Sequence, residues 1–170
     1  MPEDNENSRR KFLGIAMGGI FGAIAFGYIV PMAAYIIKPS LRRVESGWSD
    51  LGPLDALTAG VPASVAMTVV SREGWKEKEE KNNVWVVRGE GDNVTVFSPT
   101  CPHLGCGYNW DAARNEFVCP CHASMYTIDG KVTGGPAPRG LDTLPVKVEG
   151  GRLYVRWERF RLGISDKIEA

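Results

Sequence analysis

The stretches CPHLGC, at residues 101–106, and CPCHASMY, at residues 119–126, contain all four cysteines and both histidines of this 170-residue chain. Cysteine thiolates and histidine imidazoles are common ligands of transition metals in proteins. Two short loops that each present one cysteine and one histidine could together supply two sulfur and two nitrogen ligands. The two stretches therefore predict a metal centre around which the rest of the chain is organised.

Zinc is the first metal to consider, because two cysteines and two histidines can bind it tetrahedrally. Here the patterns are Cys101-x-His103 and Cys119-x-x-His122, so two cysteines do not precede two histidines as they do in a zinc finger. The two further cysteines could tie the loops together, and loops rich in Pro and Gly surround the site. These features argue against zinc, although a structural zinc-binding interaction module stays open as a non-enzymatic alternative.

The sequence after residue 50 is a series of short runs rich in β-branched and aromatic residues, separated by turn residues such as Asp129-Gly130. Strands at this spacing predict an all-β fold, an antiparallel sandwich or barrel. The pattern indicates no long amphipathic helix in this region, and the tail at residues 158–170 carries no motif. The predicted strands are residues 65–70, 84–87, 94–97, 126–128, 144–148 and 153–155.

Residues 12–37 contain no charged side chain. A hydrocarbon layer of about 30 Å needs about 20 helical residues, so this stretch predicts one N-terminal transmembrane helix. A cleaved signal normally has an apolar core of about 7–15 residues, which favours a retained anchor, with processing near Ala33-Ala34 as the alternative. Residues 38–50, which contain Pro, Gly and several charges, predict a hinge linker to a soluble domain at residues 51–170.

Positive charge does not decide the orientation of this span. The flanking cations are Arg9, Arg10 and Lys11 on one side and Lys38, Arg42 and Arg43 on the other. The order SRRKFL at residues 8–13 resembles a twin-arginine export signal. This resemblance implies a cytoplasmic segment at residues 1–11, a single pass through the cell membrane, and a soluble domain outside the cytoplasm, where a disulfide can persist. Lys plus Arg and Asp plus Glu are 20 each, which gives no attraction to nucleic acid.

The two stretches resemble the boxes of the Rieske iron-sulfur family, C-x-H-x-G-C and C-x-C-H-x-S-x-Y. The resemblance implies a Rieske β domain, with a cluster-binding part at about residues 98–142, and one [2Fe-2S] cluster whose histidine ligands raise its potential. Four cysteines by themselves allow three pairings, so the roles of the individual cysteines come from the resemblance. The implied ligands are Cys101 and Cys119 on one iron and His103 and His122 on the other, and the implied disulfide is Cys106–Cys121.

The resemblance extends beyond the ligands. Ser124 and Tyr126 stand where the family places hydroxyls that bond to a bridging sulfide and to a ligand sulfur, and so raise the potential of the cluster. Residues 134–138, GGPAP, resemble the proline loop that shields the cluster. Leu104 stands where the family exposes an apolar tip to its membrane partner.

Two residues depart from the family pattern. Pro102 stands where threonine is more usual, and Ala123 stands where glycine usually precedes the serine. Alanine lacks the conformational freedom of glycine, so the departure at Ala123 bears on the backbone of the second box.

The resemblance implies an electron-transfer subunit of a cytochrome bc-type quinol:cytochrome c oxidoreductase. His122 would face the quinol as it loses an electron and a proton, with His103 beside it, and the electron would pass to a c-type cytochrome. The implied partners are a cytochrome b subunit, a c-type cytochrome, a membrane quinol and the lipid bilayer, within a dimeric multi-subunit complex. The alternative is the Rieske subunit of another exported enzyme, such as an arsenite oxidase, which needs no tip that faces a quinol.

Overall fold

A computed structural model describes residues 3–41, 47–73 and 76–170. The chain divides into two compact units, one with the N-terminal helix and one with the β-sheets. The helix α1 spans Glu3–Leu41, so the helix predicted at residues 12–37 extends further at both ends. Its segment Ser8–Lys38 is long and apolar enough to cross a membrane, and none of its most apolar window is buried. By length and composition this segment fits the predicted membrane span.

The predicted hinge linker at residues 38–50 falls partly on regular secondary structure. Its first residues, up to Leu41, belong to α1. Its last residues, from Trp48, belong to the first strand, β1, which spans Trp48–Pro53. Residues 42–46 lie outside the described residues, so the hinge itself stays a prediction.

The second unit is built from three small, mostly antiparallel sheets, which confirms the predicted all-β class. A short 3-10 helix at Leu54–Ala56 follows β1. The strands after β1 are β2 Ala63–Glu73, β3 Lys76–Arg88, β4 Val94–Phe97, β5 Asn109–Asp111, β6 Glu116–Val118, β7 Met125–Tyr126, β8 Val132–Gly134, β9 Val146–Glu149 and β10 Arg152–Arg156. Among the described residues the strand orders in the three sheets are β1-β10-β9, β2-β3-β4 and β5-β6-β7-β8.

The first two sheets share one aliphatic core. Every second residue of a strand points to the same face of its sheet, and the apolar residues of β2, β3 and β10 follow that period. This core is the base of the domain, and the strand β4 leads from it directly into the first cysteine stretch. The buried members are Met67, Val69, Val84, Val86, Val96, Leu144, Leu153 and Val155.

The strand predictions at residues 65–70, 84–87, 94–97 and 153–155 were confirmed. The prediction at residues 126–128 is wrong at its end, because Thr127 begins a turn in which its carbonyl accepts the Gly130 N–H at 2.8 Å. The prediction at residues 144–148 begins too early, because β9 starts only after Pro145, which has no N–H to donate. The pattern also missed β1, β5, β6 and β8, most of which have only three residues, too few to show a period.

Candidate metal centre

The two cysteine stretches form two similar loops at one end of the third sheet. Loop 1, residues 101–107, leads from β4 to β5, and loop 2, residues 119–124, joins β6 to β7. In each loop the N–H of the first cysteine donates to a carbonyl five residues later, Cys101 to Cys106 and Cys119 to Ser124, both at 2.8 Å. Each loop is therefore a closed turn that begins with a buried cysteine.

A cluster of aromatic rings, here called the aromatic floor, packs below both loops. Its members are Trp85, Phe97, Tyr108, Trp110, Phe117 and Tyr126. Cys101 and Cys119 are buried in one cluster with Tyr108, Phe117 and Tyr126. The Tyr108 hydroxyl donates to the Ser98 carbonyl at 2.6 Å, which fixes the ring below the loops. The floor is tied together by edge-to-face and stacked ring contacts, which favour one relative arrangement of the rings. The Phe117 ring contacts those of Trp85, Phe97, Tyr108 and Trp110.

A disulfide joins the two loops. Cys106 and Cys121 are bonded, with their Cα atoms 6.5 Å apart, which confirms the implied pairing. Cys101 and Cys119 are free and buried. The structure thus selects one of the three pairings that the sequence allows, and it leaves the two predicted cysteine ligands as thiols.

The two histidines form the outer edge of the site. The ring centroids of His103 and His122 lie 4.8 Å apart, with the ring planes at 89°. His122 is exposed and His103 is half-buried, whereas the cysteines Cys101 and Cys119 are buried. The loops therefore bring all four predicted ligands to one end of the domain, with sulfur on the inside and nitrogen on the outside.

Two hydroxyls lie beside the thiols. The Tyr126 hydroxyl oxygen is 3.1 Å from Cys101 Sγ. Burial, reinforced by this hydrogen bond, raises the pKa of Tyr126, so its hydroxyl keeps its proton at neutral pH. Burial also raises the pKa of the Cys119 thiol. The buried Ser124 hydroxyl has no hydrogen-bond partner of good geometry among the described residues.

These features fit an iron-sulfur cluster between the loops. A buried polar group without a partner is uncommon in native proteins and calls for an explanation. An acceptor bound next to the two free thiols would satisfy Ser124, and a metal would displace the proton of Cys119, since the thiolate is the ligand. Two thiols and two imidazoles are also the ligand set of a Rieske centre. All of these residues lie in the two stretches CPHLGC and CPCHASMY, from which the sequence alone predicted them.

The proline loop covers loop 2. Gly135 has a φ of 85°, in the left-handed region. A Cβ atom at this position would lie 2.5 Å from Ser124 Cα and 2.6 Å from the Ala123 carbonyl oxygen. Only glycine permits this approach, so the proline loop lies directly on the backbone of loop 2 at Gly135. The shielding of the cluster that the resemblance implies stays a prediction.

The departure at Ala123 leaves the left-handed backbone in place. Ala123 has a φ of 54°, and among the described residues other than glycine only Asn115, at 55°, shares this conformation. Asparagine adopts it routinely, whereas alanine does so at a cost in free energy. Loop 2 therefore has the geometry expected of a glycine at residue 123, with strain at that position.

Comparisons with known proteins agree with this site. The model of the Rieske [2Fe-2S] domain matches residues 49–145. The chain is 34% identical over 161 residues to the menaquinol:cytochrome c reductase iron-sulfur subunit of Geobacillus thermodenitrificans, covering 89% of this chain and 94% of that protein. It is 31% identical over 147 residues to the cytochrome b6-f complex iron-sulfur subunit of Chlorobaculum tepidum, covering 86% and 74%.

A solved structure gives a further similarity. The cyanobacterial plasma membrane Rieske protein from Synechocystis PCC 6803 is 31% identical, with a TM-score of 0.46, covering 64% of this chain and 98% of that one. The domain match includes both cysteine loops and the proline loop. It ends before the C-terminal tail at residues 158–170, which the sequence pattern left without a role.

Proposed function

Because this chain belongs to the Rieske [2Fe-2S] family, we propose that it is the subunit of a quinol:cytochrome c oxidoreductase complex that takes one electron from a membrane quinol and passes it to a c-type cytochrome. Its relatives are named as iron-sulfur subunits of menaquinol:cytochrome c reductase and of cytochrome b6-f complexes. The observation that carries the proposal is the pair of adjacent histidines, exposed His122 and half-buried His103, at the outer edge of a site with two buried, free cysteines. An arsenite oxidase subunit, the alternative, is not favoured by these relatives.

The four predicted ligands would hold the cluster between the loops. When bound, the cluster accepts and releases one electron at a potential raised by its histidine ligands. The Tyr126 and Ser124 hydroxyls supply hydrogen-bond donors in a buried site, and donors there favour the more negative, reduced state. The ligand set is Cys101, His103, Cys119 and His122.

His122 is the residue that we assign to the quinol. Its imidazole is exposed, so the ring nitrogen that does not bind metal can accept a hydrogen bond from a quinol hydroxyl and then hold its proton. His103 lies against it at the same edge and is the second residue at this position. Leu104 is 63% exposed beside them. We assign this apolar side chain to the contact with the quinol-binding subunit, where it would exclude water.

The membrane arrangement is part of the proposal. The apolar helix Ser8–Lys38 and the membrane complexes of the relatives support a single-pass membrane protein. We place residues 1–11 in the cytoplasm and the β domain outside, for two reasons. The SRRKFL order resembles an export signal, and the Cys106–Cys121 disulfide suits an oxidising compartment. We further propose that the chain belongs to a dimeric complex that contains cytochrome b. Residues 38–50 would serve as the hinge between the membrane helix and the β domain.

The metal and the partners are tested on the full chain purified from membranes in mild detergent. We expect iron and acid-labile sulfide, a Rieske-type electron paramagnetic resonance spectrum after reduction, and co-purified cytochrome b. Zinc without iron would end the cluster assignment and favour the zinc-binding module. Co-purification of a molybdenum subunit in place of cytochrome b would instead support the alternative, a Rieske subunit of an arsenite oxidase.

The assignment of Leu104 to the contact with the quinol-binding subunit is tested by Leu104→Asp, with Val61→Asp as the matched control. Val61 is 53% exposed and lies in the turn before β2, in the base of the domain. We expect Leu104→Asp to retain the cluster spectrum and chemical reduction but to lower quinol-dependent cytochrome c reduction more than tenfold, because a charge must then be buried at the contact. Val61→Asp should leave both unchanged. Normal turnover in Leu104→Asp would contradict the assignment.

A further inference from the structure

The C-terminal tail is an ordered part of the domain, although it lies beyond the family match. The Arg161 N–H donates to the Ile168 carbonyl at 2.9 Å, and the Ala170 N–H donates to the Arg159 carbonyl at 2.8 Å. A further bridge pairs Phe160 with Glu169. Residues 159–161 therefore pair with residues 168–170 in a hairpin-like segment. The turn between these two arms contacts other parts of the domain.

Arg139 clamps this turn from the segment that follows the proline loop. Its Nε and Nη2 donate to the two carboxylate oxygens of Asp142 at 2.9 and 2.7 Å. The two side chains are 8% and 3% exposed, so the ion pair is buried. Nη1 donates to the Ile164 carbonyl at 2.6 Å and Nη2 to the Arg161 carbonyl at 2.8 Å. One guanidinium thus holds both ends of the four-residue turn at residues 161–164.

The two residues in the middle of that turn contact loop 1. The Gly163 N–H donates to the Pro102 carbonyl at 2.9 Å, between the predicted ligands Cys101 and His103. Leu162 Cδ1 lies 2.9 Å from the position that a Cβ of Gly105 would occupy. The tail therefore touches loop 1 on both sides of His103, at Pro102 and at Gly105. Pro102 is one of the two residues that depart from the family pattern.

A second anchor holds the tail to the same segment. Lys167 Nζ donates to the Thr143 carbonyl at 2.7 Å and to its hydroxyl oxygen at 3.0 Å. The same ammonium lies 4.8 Å from the centre of the Phe160 ring, a cation–π contact. The segment at residues 139–143 thus directly follows the cover of loop 2 and also anchors the support of loop 1.

We propose that Arg139 is a positioning residue for the metal centre. Arg139 holds the tail turn at residues 161–164, and this turn holds loop 1 and His103 in place. A planar guanidinium can bind a carboxylate and two carbonyls at once, whereas an ammonium cannot reproduce this fork. The tail supports loop 1 from outside, as the proline loop supports loop 2. The inference goes beyond the proposed function, because it does not depend on the electron donor or acceptor that the centre serves.

The first test compares Leu162→Ala with Ile168→Ala in the full chain loaded with its cluster. The two side chains are similarly exposed, 40% and 42%, and belong to the same tail. Leu162 lies against Gly105 of loop 1, whereas Ile168 lies in the other arm of the hairpin-like segment, where its carbonyl accepts the Arg161 N–H. We expect Leu162→Ala to accelerate amide hydrogen exchange in residues 103–106 about fivefold and to change the spectrum of the reduced cluster. Loop 2 exchange should be unchanged, and Ile168→Ala should resemble the parent protein.

The second test is Arg139→Lys, which keeps a cation beside the buried Asp142 and so avoids an unpaired buried charge. We expect Arg139→Lys to accelerate amide hydrogen exchange more in loop 1 than in loop 2, relative to the parent protein. The spectrum of the reduced cluster should change in the same way as in Leu162→Ala. Equal effects of Leu162→Ala and Ile168→Ala, or an unchanged spectrum in both Leu162→Ala and Arg139→Lys, would overturn the proposal. None of these measurements needs a quinol, so they stand apart from the test of the proposed function.

Discussion

Loop 1 and loop 2 share a local design but are held by different parts of the chain. Each begins with a buried cysteine, and four residues later each has a left-handed residue, Gly105 at 84° and Ala123 at 54°. The proline loop presses directly on the backbone of loop 2. Loop 1 instead receives one hydrogen bond and one leucine side chain from the C-terminal tail. The same turn can therefore have glycine or alanine at its left-handed position. The loops differ in the segment that packs on them, which is the C-terminal tail for loop 1 and the proline loop for loop 2.

Gly135→Ala should have the largest effect on this comparison, because it acts on the support of loop 2 alone. The new Cβ would meet backbone atoms of loop 2, which cannot rotate away as a side chain can. Overpacking costs about 1–3 kcal/mol and a left-handed alanine about 1–2 kcal/mol. We expect a loss of about 4 kcal/mol in the free energy of unfolding, measured by urea denaturation.

The control is Gly107→Ala, in loop 1. A Cβ at Gly107 would meet no atom within 4 Å. Its free energy of unfolding should change by less than about 0.5 kcal/mol, as for ordinary surface substitutions. Equal losses in the two variants would show that the proline loop is not the special support of loop 2.

The double variant Cys106→Ala/Cys121→Ala removes the bond that joins the loops. The disulfide spans 15 residues, and the closed loop of that length restricts the unfolded chain by about 3 kcal/mol. We expect the free energy of unfolding to fall by about that amount and iron to be released faster to a chelator, since each loop would then depend on its own support. A cluster as stable as that of the parent protein would refute this role of the disulfide.

Tyr126→Phe removes a contact by which the strand after loop 2 acts on the cysteine of loop 1. Its hydroxyl lies 3.1 Å from Cys101 Sγ, and one donor to a charged group is worth about 1.5 kcal/mol. Its loss should disfavour the reduced state and lower the midpoint potential by about 60 mV, since 59 mV corresponds to a factor of ten for one electron. Voltammetry measures this shift.

Tyr108→Phe is the matched control for this potential. Tyr108 is also a buried tyrosine of the aromatic floor, but its hydroxyl donates to the Ser98 carbonyl rather than to sulfur. Its removal should lower stability and leave the potential within about 10 mV, because the donor to the site is intact. A similar fall in potential in both variants would mean that the aromatic floor, and not the hydroxyl, sets the potential.

The sequence predicted the site better than it predicted its supports. Cysteine and histidine spacing identified both loops, because the predicted ligands and the disulfide partners are local in the chain. The strands β5, β6 and β8 were missed because three residues are too few for a period. The clamp between Arg139 and the tail was missed for another reason. Its acceptors at Arg161 and Ile164 are backbone carbonyls, and any sequence supplies those.

Ala123→Gly should have the smallest effect, and it tests the point at which the two loops differ in sequence. Glycine removes the strain of a left-handed alanine, about 1–2 kcal/mol, but it loses about 0.5–1 kcal/mol more conformational entropy on folding. We therefore expect a net gain of about 0.5–1 kcal/mol in the free energy of unfolding. Asn115→Gly is the control, because Asn115 has nearly the same φ, 55° against 54°, and asparagine tolerates it. Little strain is relieved there, so the entropy cost of glycine should leave a loss of about 0.5–1 kcal/mol. A loss of stability in Ala123→Gly would mean that the methyl group of Ala123 contributes packing that outweighs its strain, and loop 2 would then differ from loop 1 by adaptation rather than by tolerance.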